Sequence, residues 1–206
     1  MIPLLFPLGL LLAIVPGMLL APAVVTPEPS PMILSQTPVT FEAAITQSQD
    51  LLRAIAEQKL DDQTFAQQVQ TLVQTENGAR GFFVTYLTVD LPQADQPSPE
   101  LLVALQTSPE IVSELLVKNL AMSSATAVLH RRQQSPELAK GSDQVRQRTL
   151  NLINQLALPP LAPKLLALKT TVTTGQGDYQ AFIERWDYDA EQKTAILAAI
   201  AQVNPK

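Results

Sequence analysis

His130 is the one imidazole in a chain of 206 residues, and Arg131 and Arg132 follow it directly. A histidine can act as general base for a serine, and two guanidiniums can hold an anionic substrate. On a helix, Asn119, Ser123, Thr126 and His130 recur at spacings of four, three and four, so they form one polar stripe. Ser123 nonetheless lies two turns from His130, too far for a direct hydrogen bond. A histidine and two arginines are also what the negative end of a helix dipole favours. The pattern therefore assigns no catalytic residue.

Other chemistries fail on residue type. Without cysteine there is no thiolate nucleophile, no disulfide and no zinc site built on sulfur. Asp187, Asp189 and Glu191 imitate the opening of a calcium loop, but Gln192 stands where that loop needs glycine and Ala198 where it needs glutamate. Asp189 is better read as a helix cap, so no metal site is expected. Gly175-Gln-Gly177 follows no strand and precedes no third glycine, which removes it as a nucleotide loop. No cofactor is expected.

Charge carries more information. The chain has a net charge of −5, yet Lys118 to Arg148 holds six basic residues, Lys118, Arg131, Arg132, Lys140, Arg146 and Arg148, against Glu137 and Asp143. That is a local +4 in a chain whose remainder carries −9. With His130, these six form the candidate partner-binding set, suited to an acidic protein surface or an anionic headgroup. Nucleic acid is not expected, because the aromatic residues are not interleaved with the basic ones.

The elements that must hold these groups read as helices. Apolar residues recur at helical spacing from Phe41 onward, first over 41–59 with Thr40 as cap, then over 62–76, which is expected to end at Asn77-Gly78. Ser98-Pro-Glu, Ser108-Pro-Glu and Ser135-Pro-Glu each offer a capping hydroxyl, a proline whose missing N–H costs nothing, and an acid at the positive helix end. The longest helix should run from Pro109 to about Arg132, with small central residues that let a neighbour approach. Ser142 is read as the cap of a helix over 143–157, and Lys164–Leu168 as a short one. Tyr179, Phe182 and Trp186 should share one face. Asp189 and Gln192 have the spacing of a capping box before a final helix. The stretch FFVTYLTV at 82–89 has strand-like composition but no partner strand, so a buried short helix is expected. The fold class is all-α, a single compact domain of about seven helices over 41–206, behind an apolar N-terminal segment.

That segment, residues 1–25, has no charged side chain and fits a cleaved export signal ending near Ala21-Pro-Ala23 or an uncleaved membrane anchor. Residues 26–40 carry Pro27, Pro29, Pro31 and Pro38 and form a semi-rigid spacer. At Gly78-Ala-Arg-Gly-Phe-Phe, Lys118-Asn-Leu-Ala-Met, His130-Arg-Arg and Arg185-Trp-Asp-Tyr-Asp, the chain resembles uncharacterised conserved proteins of cyanobacteria, over about residues 78–200. The resemblance implies a photosynthetic prokaryotic setting and supplies no activity.

The expectation is a non-enzymatic helical interaction domain, exported or membrane-tethered through residues 1–25, in periplasm, thylakoid lumen or at a membrane. It would dock an acidic partner through the basic hairpin. Two alternatives stand beside it: a hydrolase or transferase acting on an anionic small molecule with His130 and the nearby arginines, and a membrane-surface module using the basic face.

Overall fold

The computed structural model describes residues 39–204, and within them every regular element is helical. The expectations for residues 1–25 and for most of the spacer lie outside the described residues. Nine α-helices follow one another: α1 (Phe41–Ala56), α2 (Asp62–Val73), α3 (Glu76–Thr88), α4 (Pro99–Gln106), α5 (Pro109–Arg132), α6 (Pro136–Gln155), α7 (Leu161–Thr174), α8 (Gln180–Trp186) and α9 (Ala190–Ile200). A single 3₁₀ turn, Pro92–Ala94, lies between α3 and α4. The count is nine where about seven was expected.

Several helix bounds also differ from those expected. Gly78 does not end α2. Thr75 caps a separate helix by accepting the Gly78 N–H at 3.1 Å, and α3 then carries the FFVTYLTV stretch. Glycine is required there because a Cβ would stand 2.0 Å from the Leu72 carbonyl oxygen. Pro136 takes the first position of α6, so that helix begins six residues before the expected cap at Ser142. Pro163 falls in the first turn of α7, where no helical hydrogen bond is lost, and α7 continues to Gly175, whose φ of 78° closes it. Thr40, Ser98 and Asp189 cap as expected, Asp189 with Gln192 in a full capping box. Ser108 and Ser135 precede their prolines but make no capping hydrogen bond, because their ψ angles of 63° and 75° turn the hydroxyls away.

α5 is the central element, touching α3, α4, α6, α7 and α9. Ala121, Ser123, Ser124, Ala125 and Ala127 are all buried on it, and their small size lets neighbouring helices approach. By length and composition α5 is apolar enough to cross a membrane, but 56% of its most apolar stretch is covered by the rest of the domain. In this fold it is a core helix. Phe82, Phe83 and Tyr86 of α3 form a stacked and edge-on aromatic group at 5.2 and 5.4 Å, each almost fully buried. Burial of each such side chain stabilises the domain by about 1.5–3 kcal/mol. α3 packs so closely on α1 that a Cβ on Gly81 would meet the Ala44 Cβ at 2.5 Å. Leu129 of α5 and Trp186 at the end of α8 are 40% and 46% exposed.

Candidate functional site

α5 and α6 form an antiparallel hairpin with a tight turn at residues 133–135, where Gln134 has φ 54°. The hairpin positions the seven candidate residues, and it separates them into three groups.

Arg148 points inward and is 2% exposed. Its Nε and Nη2 donate to Asp95 at 2.7 and 3.0 Å, and the guanidinium also donates to the carbonyls of Leu87, Val89 and Leu91 at 3.1, 2.6 and 3.4 Å. These carbonyls lie at the end of α3 and in the loop beyond it, so Arg148 satisfies acceptors that the helix leaves without partners. The hydrogen bonds from Arg148 hold the Asp95 carboxyl below its ordinary range. Arg148 is thus a structural clamp, with no atoms free for a partner.

Lys118 sits two to three turns up α5, bonded to Glu114 at 2.8 Å and lying over the Phe182 ring. Glu114 also accepts from Lys164 and from the Tyr179 hydroxyl, both at 3.0 Å. Burial pushes the Glu114 carboxyl up, but these hydrogen bonds and the Lys118 charge outweigh it and leave it lowered. The cluster ties α5 to α7 and to the start of α8. It is distant in sequence and in partners from the hairpin end.

His130, Arg131, Arg132, Lys140 and Arg146 do gather around that end. His130 Nδ1 and Ser142 Oγ share a hydrogen bond at 3.1 Å. The serine partner is therefore Ser142 of α6, not Ser123, whose hydroxyl donates to the Asn119 carbonyl. Sequence periodicity along one helix cannot reveal a pair formed across two. Arg131 bonds Asp143, and Arg146 reaches the same carboxylate at 3.1 Å. Arg132 turns to the other side of α5 and bonds Asp189 and Glu191, with contacts at 3.1 and 2.9 Å among them. Those carboxylates raise the Arg132 guanidinium, and Arg132 in turn, with the Gln192 N–H, holds Asp189 well below the carboxylate range. Lys140 is exposed and has no carboxylate at salt-bridge distance among the described residues.

Folding therefore redistributes the charge read along the sequence. Five of the six cations meet a carboxylate, three of them one from outside residues 118–148. The excess positive charge lies on the α5–α6 side, where Arg131 and Arg146 share Asp143 and Lys140 stands three residues away on α6.

As a chemical centre the His130–Ser142 pair is incomplete. Among the described residues no carboxylate bonds the imidazole, and two concavities of about 490 and about 110 Å³ are lined by residues of α1–α4 and of the connections between α1 and α2 and between α3 and α4, with His130 in neither. No cluster of three metal-ligating side chains occurs among the described residues.

A family model described as Uncharacterised conserved protein UCP020893 matches residues 40–203. No curated protein and no solved structure matches the chain.

Proposed function

The chain belongs to that uncharacterised conserved family, and within it we propose a non-enzymatic role: a helical interaction domain that docks an acidic partner on the α5–α6 hairpin. The observation that carries this reading is the sharing of one carboxylate, Asp143, by Arg131 and Arg146, with Lys140 exposed three residues before Asp143 on α6. Two guanidiniums around one carboxylate leave donor capacity for a second anion, and Arg131 is 53% exposed. Asp143 and Arg146 are partly buried, but on the exposed Arg131 side a surface pair contributes about 0–1 kcal/mol, so an incoming carboxylate can take Arg131 from Asp143 at small cost. Arg148 takes no part, and Arg132 is held on the opposite side. Delivery to or retention at a membrane by residues 1–25 belongs to the same proposal and rests on the apolar sequence of that segment.

The test is binding of the full chain to an immobilised polyglutamate peptide and, separately, to vesicles containing an anionic lipid. The triple variant Arg131→Glu, Lys140→Glu, Arg146→Glu should lose peptide binding, and wild-type binding should fall steeply with salt. Binding unaffected by the triple change would sink the reading. A loss seen on vesicles alone would move it to the membrane-surface module.

A further inference from the structure

His130 is not needed for the exchange at Asp143, yet its contacts place it in the same patch. Two rungs cross the hairpin side by side, His130 Nδ1 to Ser142 Oγ at 3.1 Å and Arg131 to Asp143. Arg146 holds the same Asp143 and stands one turn after Ser142 on α6, so direct contacts link the imidazole to both guanidiniums. Nε2 of the ring has no hydrogen-bond partner among the described residues, and it is not sealed from water as Arg146 Nε is. It is the ring atom left to meet something outside the domain.

Histidine is the side chain whose charge ordinarily changes between about pH 5 and about pH 8, and this chain has one. Ser142 suits both charge states. Its hydroxyl donates to Nδ1 of a neutral ring and accepts from Nδ1–H of a protonated one, turning its own hydrogen to a backbone carbonyl one turn back. The ring therefore gains charge without moving. The charged groups around it are Arg131 and Arg132 on α5, Glu137, Lys140, Asp143 and Arg146 on α6, and Asp189, Glu191 and Lys193 at α9. Asp143 is engaged by Arg131 and Arg146, and Asp189 and Glu191 by Arg132. α7 meets the other end of α5 through Lys164, while Glu76 and Arg80 of α3 and Glu100 of α4 bond no charged group of α5. A proton on His130 thus has no carboxylate at salt-bridge distance among the described residues, and its charge is available to a partner.

We propose that His130 makes docking respond to acidity: protonated, it receives a carboxylate of the acidic partner at Nε2 and tightens the complex, and neutral, it gives that contact up. The inference rests on the α5–α6 docking reading and adds to it the residue that couples affinity to pH.

The test is binding of the full chain to an immobilised oligo-aspartate peptide at about pH 7.5 and about pH 5.5, an interval in which the peptide stays ionised and a histidine does not keep one charge. Wild-type affinity should rise about tenfold on acidification, as expected for one charge-assisted hydrogen bond gained. His130→Gln still offers Ser142 a partner but cannot gain charge, so it should bind like the wild type at the higher pH and lose the rise. Ring-proton NMR of the wild type, with its single imidazole, should show protonation at a higher pH once the peptide is added, because binding and protonation favour each other reciprocally. A rise that persists in His130→Gln, or an imidazole whose titration ignores the peptide, overturns the inference. Binding that still depends on Arg131, Lys140 and Arg146 in that case leaves the docking reading standing, and absence of binding at both pH values ends both.

Discussion

Arg148 and Arg131 lie in the same hairpin, seventeen residues apart, and carry the same guanidinium to opposite ends. Arg148 is buried to 2% and satisfies a carboxylate and three backbone carbonyls from a segment more than fifty residues away. Arg131 is 53% exposed and shares its one carboxylate with Arg146. The lesson is that a run of basic residues counts charge but not availability. Which face of the helix a residue occupies decides whether it holds the fold together or remains free to meet something else.

The comparison breaks most visibly at Arg148. Arg148→Met should lower stability by about 3 kcal/mol, the low end for a broken buried pair because Asp95 itself faces water. Urea unfolding measures this, and a loss below about 1 kcal/mol would show that the clamp is not structural. Next comes Gly81→Ala, which forces a methyl group onto Ala44 and should cost about 1–3 kcal/mol in spite of alanine's better helix propensity. Glu114→Gln should cost about 1–2 kcal/mol at neutral pH and sharpen the contrast through acid titration. Its carboxyl is lowered in the folded state, so its contribution is complete above the ordinary glutamate range and is lost as pH falls through the lowered value. The acid limb of stability against pH should flatten in the variant. At the hairpin, Gly141 has open space where a Cβ would go, and Gly141→Ala should add about 0.5–1 kcal/mol. Arg131→Ala should change thermal stability least, by about 0.5 kcal/mol or less. A larger loss there would mean that the Asp143 bridge is part of the scaffold and not an exchangeable contact.

Much of the scaffold could be read from local chemistry. Thr40, Ser98 and the Asp189–Gln192 box announce helix starts within four residues of chain, and the apolar spacing of α5 identifies the central helix. Helix boundaries went astray where one signal had two meanings. Asn77-Gly78 looks like a terminator, but Gly78 is needed for its closeness to the Leu72 carbonyl, a contact between neighbouring helices that composition does not express. Ser142 looks like a cap and instead faces His130 across the hairpin. The candidate site was legible as a segment and not as a surface. Asp95, Asp189 and Glu191 lie far from the basic run in sequence, and only the packing of α6 on α3 and of α9 on α5 brings them to Arg148 and Arg132.

The capped start of α1 has a mechanical meaning. Thr40 fixes the first turn through the Ala43 N–H, Val39 packs on the core, and the Arg80 guanidinium lies over the Phe41 ring at 5.0 Å. Tension applied at Thr40 is therefore borne first by α1. The close seat of Ala44 on Gly81 resists α1 being peeled from α3. In a single-molecule pulling experiment through the N-terminus, loosening that seat should lower the rupture force more than any change at the hairpin.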